Sequence, residues 1–239
     1  MALVFVHDDR SYVLEPGERF ECDQGVLEVP PDLSPGDTVE THLGTAFRAR
    51  ELRGPDFLEH FERTGAPMLP RDVGLIVGET GVSVSDRVLD AGTGTGILAA
   101  TLGRAGADVL TFERDADFAR VAADNMELAD VGDRVSVVAG DVREVLDDEG
   151  FDLMTLDMGD APTMIERAPE LLVPGGFLAV YTPFVEHASD VVEAARDAGL
   201  NRVSCRETIR RELDVGDRGT RPSTAGVGHT GYLTIARRP

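Results

Sequence analysis

Between Leu89 and Gly96 the chain reads Leu-Asp-Ala-Gly-Thr-Gly-Thr-Gly. Gly92, Gly94 and Gly96 alternate with Thr93 and Thr95, after one apolar run and before a second that opens at Ile97. Lacking a Cβ, such glycines let the backbone turn sharply and come close to a ligand, and the N–H groups of the helix that follows point at it. The spacing is GxGxG rather than the GxGxxG of dinucleotide binders. It leaves room for an amino-acid moiety rather than a pyrophosphate. Three carboxylates then recur at the ends of apolar runs. Glu113, followed by Arg114, closes DVLTFE about twenty residues after the glycines, where a carboxylate accepts the ribose hydroxyls of a nucleoside cofactor. Asp141, followed by Val142, comes after RVSVVAG and is placed to accept an adenine amino group; Asp157 closes FDLMTLD. Each carboxylate alone reads equally well as a helix N-cap or a solvated loop acid. Coincidence of four such features is what argues for a site.

The elements that must position these residues follow from periodicity. From Arg87 the runs RVLDAG, DVLTFE, RVSVVAG, FDLMTLD and GFLAVYTP alternate with helical stretches: ILAATLGRAG, DADFARVAADNMELA, a short VREVL turn, TMIERAPELL and FVEHASDVVEAARDAG. That alternation predicts a doubly wound α/β domain, a parallel sheet with helices on both faces and ligands at the carboxyl ends of the strands. Two further runs, RVSCRETI and HTGYLTIARR, are joined by an Arg/Gly/Pro-rich loop and predict an antiparallel edge. Residues 1–53 break into short segments (SYVLE, ERFEC, GVLEV, DTVETHLG, TAFRARE) bounded by Gly, Pro or Asp, which predicts a small β-barrel-like domain. Residues 54–85 hold two short amphipathic helices, DFLEHFER and RDVGLIVGETG, and 86–239 form the α/β domain.

Composition narrows the class. No apolar run reaches the roughly 20 residues of a membrane span, and the first ten residues carry neither a basic n-region nor a cleavage site, so a cytoplasmic protein is expected. Cys22 and Cys205 lie far apart without a Cys/His cluster, which speaks against a metal site and reads as two small buried residues. The net charge is −21, and all 23 basic residues are arginine, as expected of a surface kept soluble in concentrated salt. Arginine is concentrated late: from Arg202 to Pro239 there are eight against four acidic residues, a local basic stretch of the kind an RNA partner requires.

Taken in order, DAGTGTG, FERD, GDV and TLDMG look like the class I methyltransferase pattern. The resemblance extends over nearly the whole chain. ERTGAPMLPRDVG, RVLDAGTGTGIL and ETIRRELDVGDRGTRPSTAGVGHTGYLTIARR together resemble the tRNA adenine-N1 methyltransferases that act on the T-loop, and the last of these stretches is the specific part. What this resemblance implies is a Rossmann-like, seven-stranded class I methyltransferase sheet, S-adenosylmethionine as cofactor, tRNA as partner, a homotetramer, and methyl transfer to N1 of adenine 58, with adenine 57 a further candidate. It assigns catalysis to Asp157 and the cofactor to Gly92 through Ile97, Glu113, Arg114, Asp141 and Val142. Arg218 and Arg221 become candidate phosphate contacts. His229 is read either as pocket wall or as a residue satisfying its neighbours, and Thr230, Tyr232 and Leu233 as packing. The chain departs from the pattern twice. Thr64-Gly65 stands where the family usually has Thr-Gln, and Met158-Gly159-Asp160-Ala161-Pro162 follows Asp157 in place of an early proline and aromatic, which leaves base stacking unassigned. Other readings of the same residues are a protein carboxyl methyltransferase of the isoaspartate type, a small-molecule methyltransferase, and a non-catalytic tRNA-binding subunit.

Overall fold

The computed structural model describes residues 2–226 and 228–239; Val227, within the last of the resembling stretches, lies outside them. Six short strands open the chain: β1 (Leu3–His7), β2 (Arg10–Leu14), β3 (Arg19–Cys22), β4 (Gly25–Glu28), β5 (Thr38–Glu40) and β6 (Ala46–Arg50). They form an antiparallel sheet in the order β2-β1-β6-β5 with a separate β3-β4 hairpin, closed around Phe5, Leu14, Leu27 and Phe47. The strand missing from the sequence reading is β1, which holds a central place in this sheet. Arg50 forks onto Asp56 at 2.6 and 2.8 Å and so ties β6 to α1 (Gly54–His60). That guanidinium holds the Asp56 carboxyl below its ordinary range. Helix α2 (Pro70–Thr80) leads into the larger sheet, starting on a proline and ending at Gly81 with φ 70°.

The second unit runs β7 (Arg87–Ala91), α3 (Ile97–Arg104), β8 (Asp108–Glu113), α4 (Ala116–Leu128), β9 (Val135–Ala139), α5 (Val142–Val145), β10 (Phe151–Leu156), α6 (Ala161–Ile165), α7 (Ala168–Leu171), β11 (Leu172–Thr182), α8 (Val185–Asp197), β12 (Asn201–Glu207), β13 (Leu213–Gly216), β14 (Gly219–Pro222) and β15 (Tyr232–Arg237). Seven strands form one sheet in the order β12-β15-β11-β10-β7-β8-β9. Strands β7 to β11 are parallel, and β15 inserts antiparallel to both β11 and β12. This is the expected Rossmann-like sheet. Because β7 and β10 are neighbours with the strand order reversing between them, their carboxyl ends bound the crevice where such sheets take ligands.

Three local expectations change. The stretch TMIERAPELL is two short helices, α6 and α7, each with a proline in its first turn, and its last leucine already belongs to β11. The Arg/Gly/Pro-rich loop carries its own hairpin, β13-β14, exposed along both strands. Cys205 is exposed and Cys22 only half-buried, because each sits on a strand with an uncovered face. Among the described residues no helix is long and apolar enough to cross a membrane.

Candidate active site

The glycine turn leaves β7 where Asp90 is flanked by Thr111 of β8 and Thr155 of β10, the residues opposite it in the two adjacent strands. Both hydroxyls donate to the Asp90 carboxylate, at 2.6 and 2.5 Å, and Thr93 Oγ1 lies 2.6 Å from Thr111 Oγ1. These four residues are buried. Burial pushes the Asp90 carboxyl up, and the two threonine hydroxyls oppose that shift. The network thus joins three strands and the turn beneath the site.

Above it, Gly92 adopts φ 90° and lies so close to β10 that an added Cβ would stand 2.1 Å from the Asp157 carbonyl oxygen. The Asp157 N–H donates to the Ala91 carbonyl at 2.9 Å, which continues the β7-β10 ladder by one residue. Gly94, at φ 53°, donates its N–H to Glu113 Oε2 at 2.9 Å, and the Asp115 N–H donates to Oε1 at 3.0 Å. Glu113 is therefore held at the rim with a free lone pair on each oxygen. Gly96 caps α3 with φ 86°.

A cavity of about 550 Å³ opens over these residues, within the range of small-molecule sites. Its walls include Gly92, Gly94, Glu113, Arg114, Asp141, Val142 and Asp157, with Thr64 and Gly65 arriving from the segment before α2. Thr93, Thr95, Gly96 and Ile97 line a smaller pocket of about 40 Å³ under the turn, which shares Gly92, Gly94 and Asp157 with the larger one. The strand-end acids and the glycine turn thus converge on one crevice. Asp157 is exposed as a residue where it lines the cavity, with its carboxyl set among the surrounding protein. That burial first, and the carboxylate of Asp90 second, push its carboxyl up to about 7. Asp141 shows the opposite behaviour. It caps α5 by accepting the Arg143 N–H at 3.0 Å, and the Arg143 guanidinium holds its carboxyl down at about 2. The N-cap reading and the cavity reading of Asp141 hold together.

The candidate substrate residues lie elsewhere. Arg218 falls in the β13-β14 turn and Arg221 on β14, where it meets Asp214 at 3.5 Å; neither lines the cavity. His229 bonds Glu207 Oε1 at 2.6 Å and the Pro183 carbonyl at 3.0 Å, and the carboxylate raises its pKa. The ring stitches the start of the last strand to β12 and to the end of β11. Thr230 is more than packing: it receives Arg71 Nη2 at 2.6 Å, donates to buried Asp72 at 3.2 Å, and hydrogen-bonds half-buried Tyr181, whose pKa burial raises and on which the charge of Asp157 also acts. Tyr181 was not singled out in the sequence, although Leu156 pairs with Val180 and so puts Asp157 and Tyr181 at adjacent strand ends. Phe118 on α4, 39% exposed, lines the cavity and was likewise not anticipated.

Residues 88–176 match the model of the family described as a methyltransferase domain. The tRNA (adenine(57)-N(1)/adenine(58)-N(1))-methyltransferase TrmI of Methanocaldococcus jannaschii is 31% identical, with 96% of this chain and 92% of that protein covered. The chain belongs to the tRNA adenine-N1 methyltransferase family. Two solved structures add the shape. The tRNA (m1A58) methyltransferase TrmI of Aquifex aeolicus superposes with a TM-score of 0.79 at 21% identity, covering 100% of this chain and 97% of that one. A SAM-dependent O-methyltransferase from Thermotoga maritima gives 0.85 at 22% identity over 99% and 92%. At such identities these two speak for the fold alone. For the family, the decisive agreement is coverage: the similarity to the Methanocaldococcus jannaschii enzyme takes in the β-rich front and the Arg-rich end as well as the cofactor half.

Proposed function

We propose that this protein transfers the methyl group of S-adenosylmethionine to N1 of an adenine in the tRNA T-loop, at position 58 and at the adjacent position 57. The observation that carries this is one crevice onto which the glycine turn, Glu113 and Asp157 all open. The cofactor fits the residues present. Glu113 keeps a lone pair on each oxygen for a ribose diol, and Thr64 Oγ1, buried and unpartnered among the described residues, lies 3.9 Å from where a Gly94 Cβ would stand. Its sulfonium supplies an activated methyl group when bound. The chain's own task is then positional. Asp157, as a carboxylate, accepts a hydrogen of the adenine 6-amino group, turns N1 toward the methyl carbon, and offsets the positive charge that grows on the ring. A stacked loop base has to be extruded to reach this crevice, and Arg218 and Arg221 of the exposed β13-β14 hairpin hold the backbone meanwhile.

Residues 1–53 serve as a small β domain, 54–85 as connecting helices and 86–239 as the catalytic domain. The chain works as a homotetramer, as its resemblance to the family implies, and its acidic, lysine-free surface is an adaptation to a salt-rich cytoplasm. Incubation with tRNA and cofactor, followed by nucleoside mass spectrometry, tests the reading: 1-methyladenosine is expected from wild type. Asp157→Ala is expected to lose two or more orders of magnitude in turnover, about 3 kcal/mol, while binding cofactor within a few-fold. Methylation of aged peptide but not of tRNA refutes the assignment.

A further inference from the structure

One side chain crosses the rim of the crevice. Arg143, the second residue of α5, directs Nε and Nη2 onto Asp141 at 2.9 and 2.5 Å, and Nη1 onto Asp160 at 2.9 Å. Asp141 follows β9, whereas Asp160 lies three residues after Asp157 on the loop that leaves β10. These two strands are separated in the sheet by β7 and β8, so their ends stand roughly 14 Å apart at the usual interstrand spacing. All three residues line the cavity.

Two features of the loop give this link weight. Asp160 occupies the N-cap position of α6, where aspartate commonly accepts a backbone N–H. Here its side chain makes no capping bond and turns to Arg143 instead. Gly159, just before it, has nothing near the position of an absent Cβ, so packing does not restrain that part of the loop. The ion pair is partly exposed, with the three side chains 34, 16 and 56% accessible. It therefore contributes little to global stability; its value lies in geometry. A displacement near 1 Å of a reacting group costs on the order of 100-fold in rate.

We propose that Arg143 is a positioning residue which, through Asp160, fixes the loop leaving Asp157 relative to Asp141 at the cofactor's adenine end. The proposal rests on the methyltransferase reading and deepens it, since it names what aligns the acceptor half of the site with the donor half. The fork on Asp141 orients one carboxylate, and the single bond to Asp160 orients the other loop.

The test uses the full chain and the variants Asp160→Ala, Arg143→Ala and the double variant. Three quantities are read: hydrogen exchange of the amides at 157–160 without cofactor, calorimetric affinity for S-adenosylmethionine, and steady-state methylation of tRNA. Asp160→Ala is expected to speed exchange at 157–160 at least about fivefold and lower kcat about tenfold, with cofactor affinity within about twofold. Arg143→Ala, which also frees Asp141, is expected to weaken cofactor binding about fivefold as well, and the double variant to be no slower than Arg143→Ala. Wild-type exchange and kcat in Asp160→Ala, or additive losses in the double variant, overturn the proposal and leave the methyltransferase reading intact. If wild type methylates no tRNA, yet Asp160→Ala loosens the loop at unchanged cofactor affinity, the acceptor assignment fails and the tie stands.

Discussion

The carboxyl of Asp157 is pushed up to about 7, chiefly by burial among the cavity walls and secondarily by Asp90 behind it. If the ionised form holds the adenine amino group, this shift sets the acid limb of the reaction. The quantity to follow is kcat/KM for tRNA at subsaturating cofactor, which reports groups of the free enzyme. With a midpoint near 7, the fraction ionised is about one-half at pH 7, about one-tenth at pH 6 and about nine-tenths at pH 8. Activity is therefore expected to climb about fivefold from pH 6 to pH 7, to approach tenfold per pH unit at lower pH, and to level off above about pH 8. An ordinary carboxylate at 3.8 would leave the profile flat over the same range. Asp90→Asn removes only the smaller of the two causes, so the midpoint should fall while staying above 3.8. Stability runs the other way. The folded protein keeps the Asp157 proton to higher pH than the unfolded chain does, so this group's contribution falls as pH rises from about 4 toward 7, and Asp157→Asn should remove that slope. A flat rate profile from pH 5.5 to 9, or an unmoved midpoint in Asp90→Asn, refutes the reasoning.

Other substitutions test the remaining parts. Glu113→Ala deletes the acceptor of the Gly94 N–H together with both candidate ribose acceptors, and calorimetry should show cofactor affinity weakened about tenfold or more. Gly92→Ala places a Cβ 2.1 Å from the Asp157 carbonyl oxygen at a φ of 90°; thermal unfolding should report a loss above about 2 kcal/mol, and methylation should be abolished. His229 has its pKa raised by Glu207 and the Pro183 carbonyl, so its stabilising contribution is complete below about pH 6.5 and lost as pH rises through the folded-state value. Glu207→Gln should accordingly lower Tm more at pH 6 than at pH 9, as differential scanning calorimetry would read.

The parts legible in the sequence are those whose signal is local. A strand, a glycine turn and a helix in succession occupy a few consecutive residues, and a carboxylate at a strand end is fixed to the rim of the sheet by the topology itself. Leu3–His7 escaped because its apolar residues, Leu3 to Val6, follow one another without the alternation that marks a half-buried strand. Residues 213–222 escaped because a hairpin exposed on both strands has no apolar alternation to betray it. The cluster of Arg71, Asp72, Tyr181 and Thr230 was invisible for another reason. Its members come from α2, β11 and the approach to β15, and the Asp72–Thr230 bond spans 158 positions. Residue types told what Glu113 and Asp157 could do; only packing told which neighbours shift the proton affinity of Asp157 and which guanidinium reaches Asp160.

The insertion of β15 between β11 and β12 has a consequence for how the molecule comes into being. Residues 232–237 are synthesised after the other six strands of the seven-stranded sheet, yet they occupy an interior lane. Until then β11 presents a bare edge, and β12 has been synthesised without the strand it pairs with. The nascent chain must keep that edge from pairing with strangers while the intervening residues are made, a delay that local helices never face. A surplus of acidic groups on the nascent chain, mutually repelling, is suited to that interval.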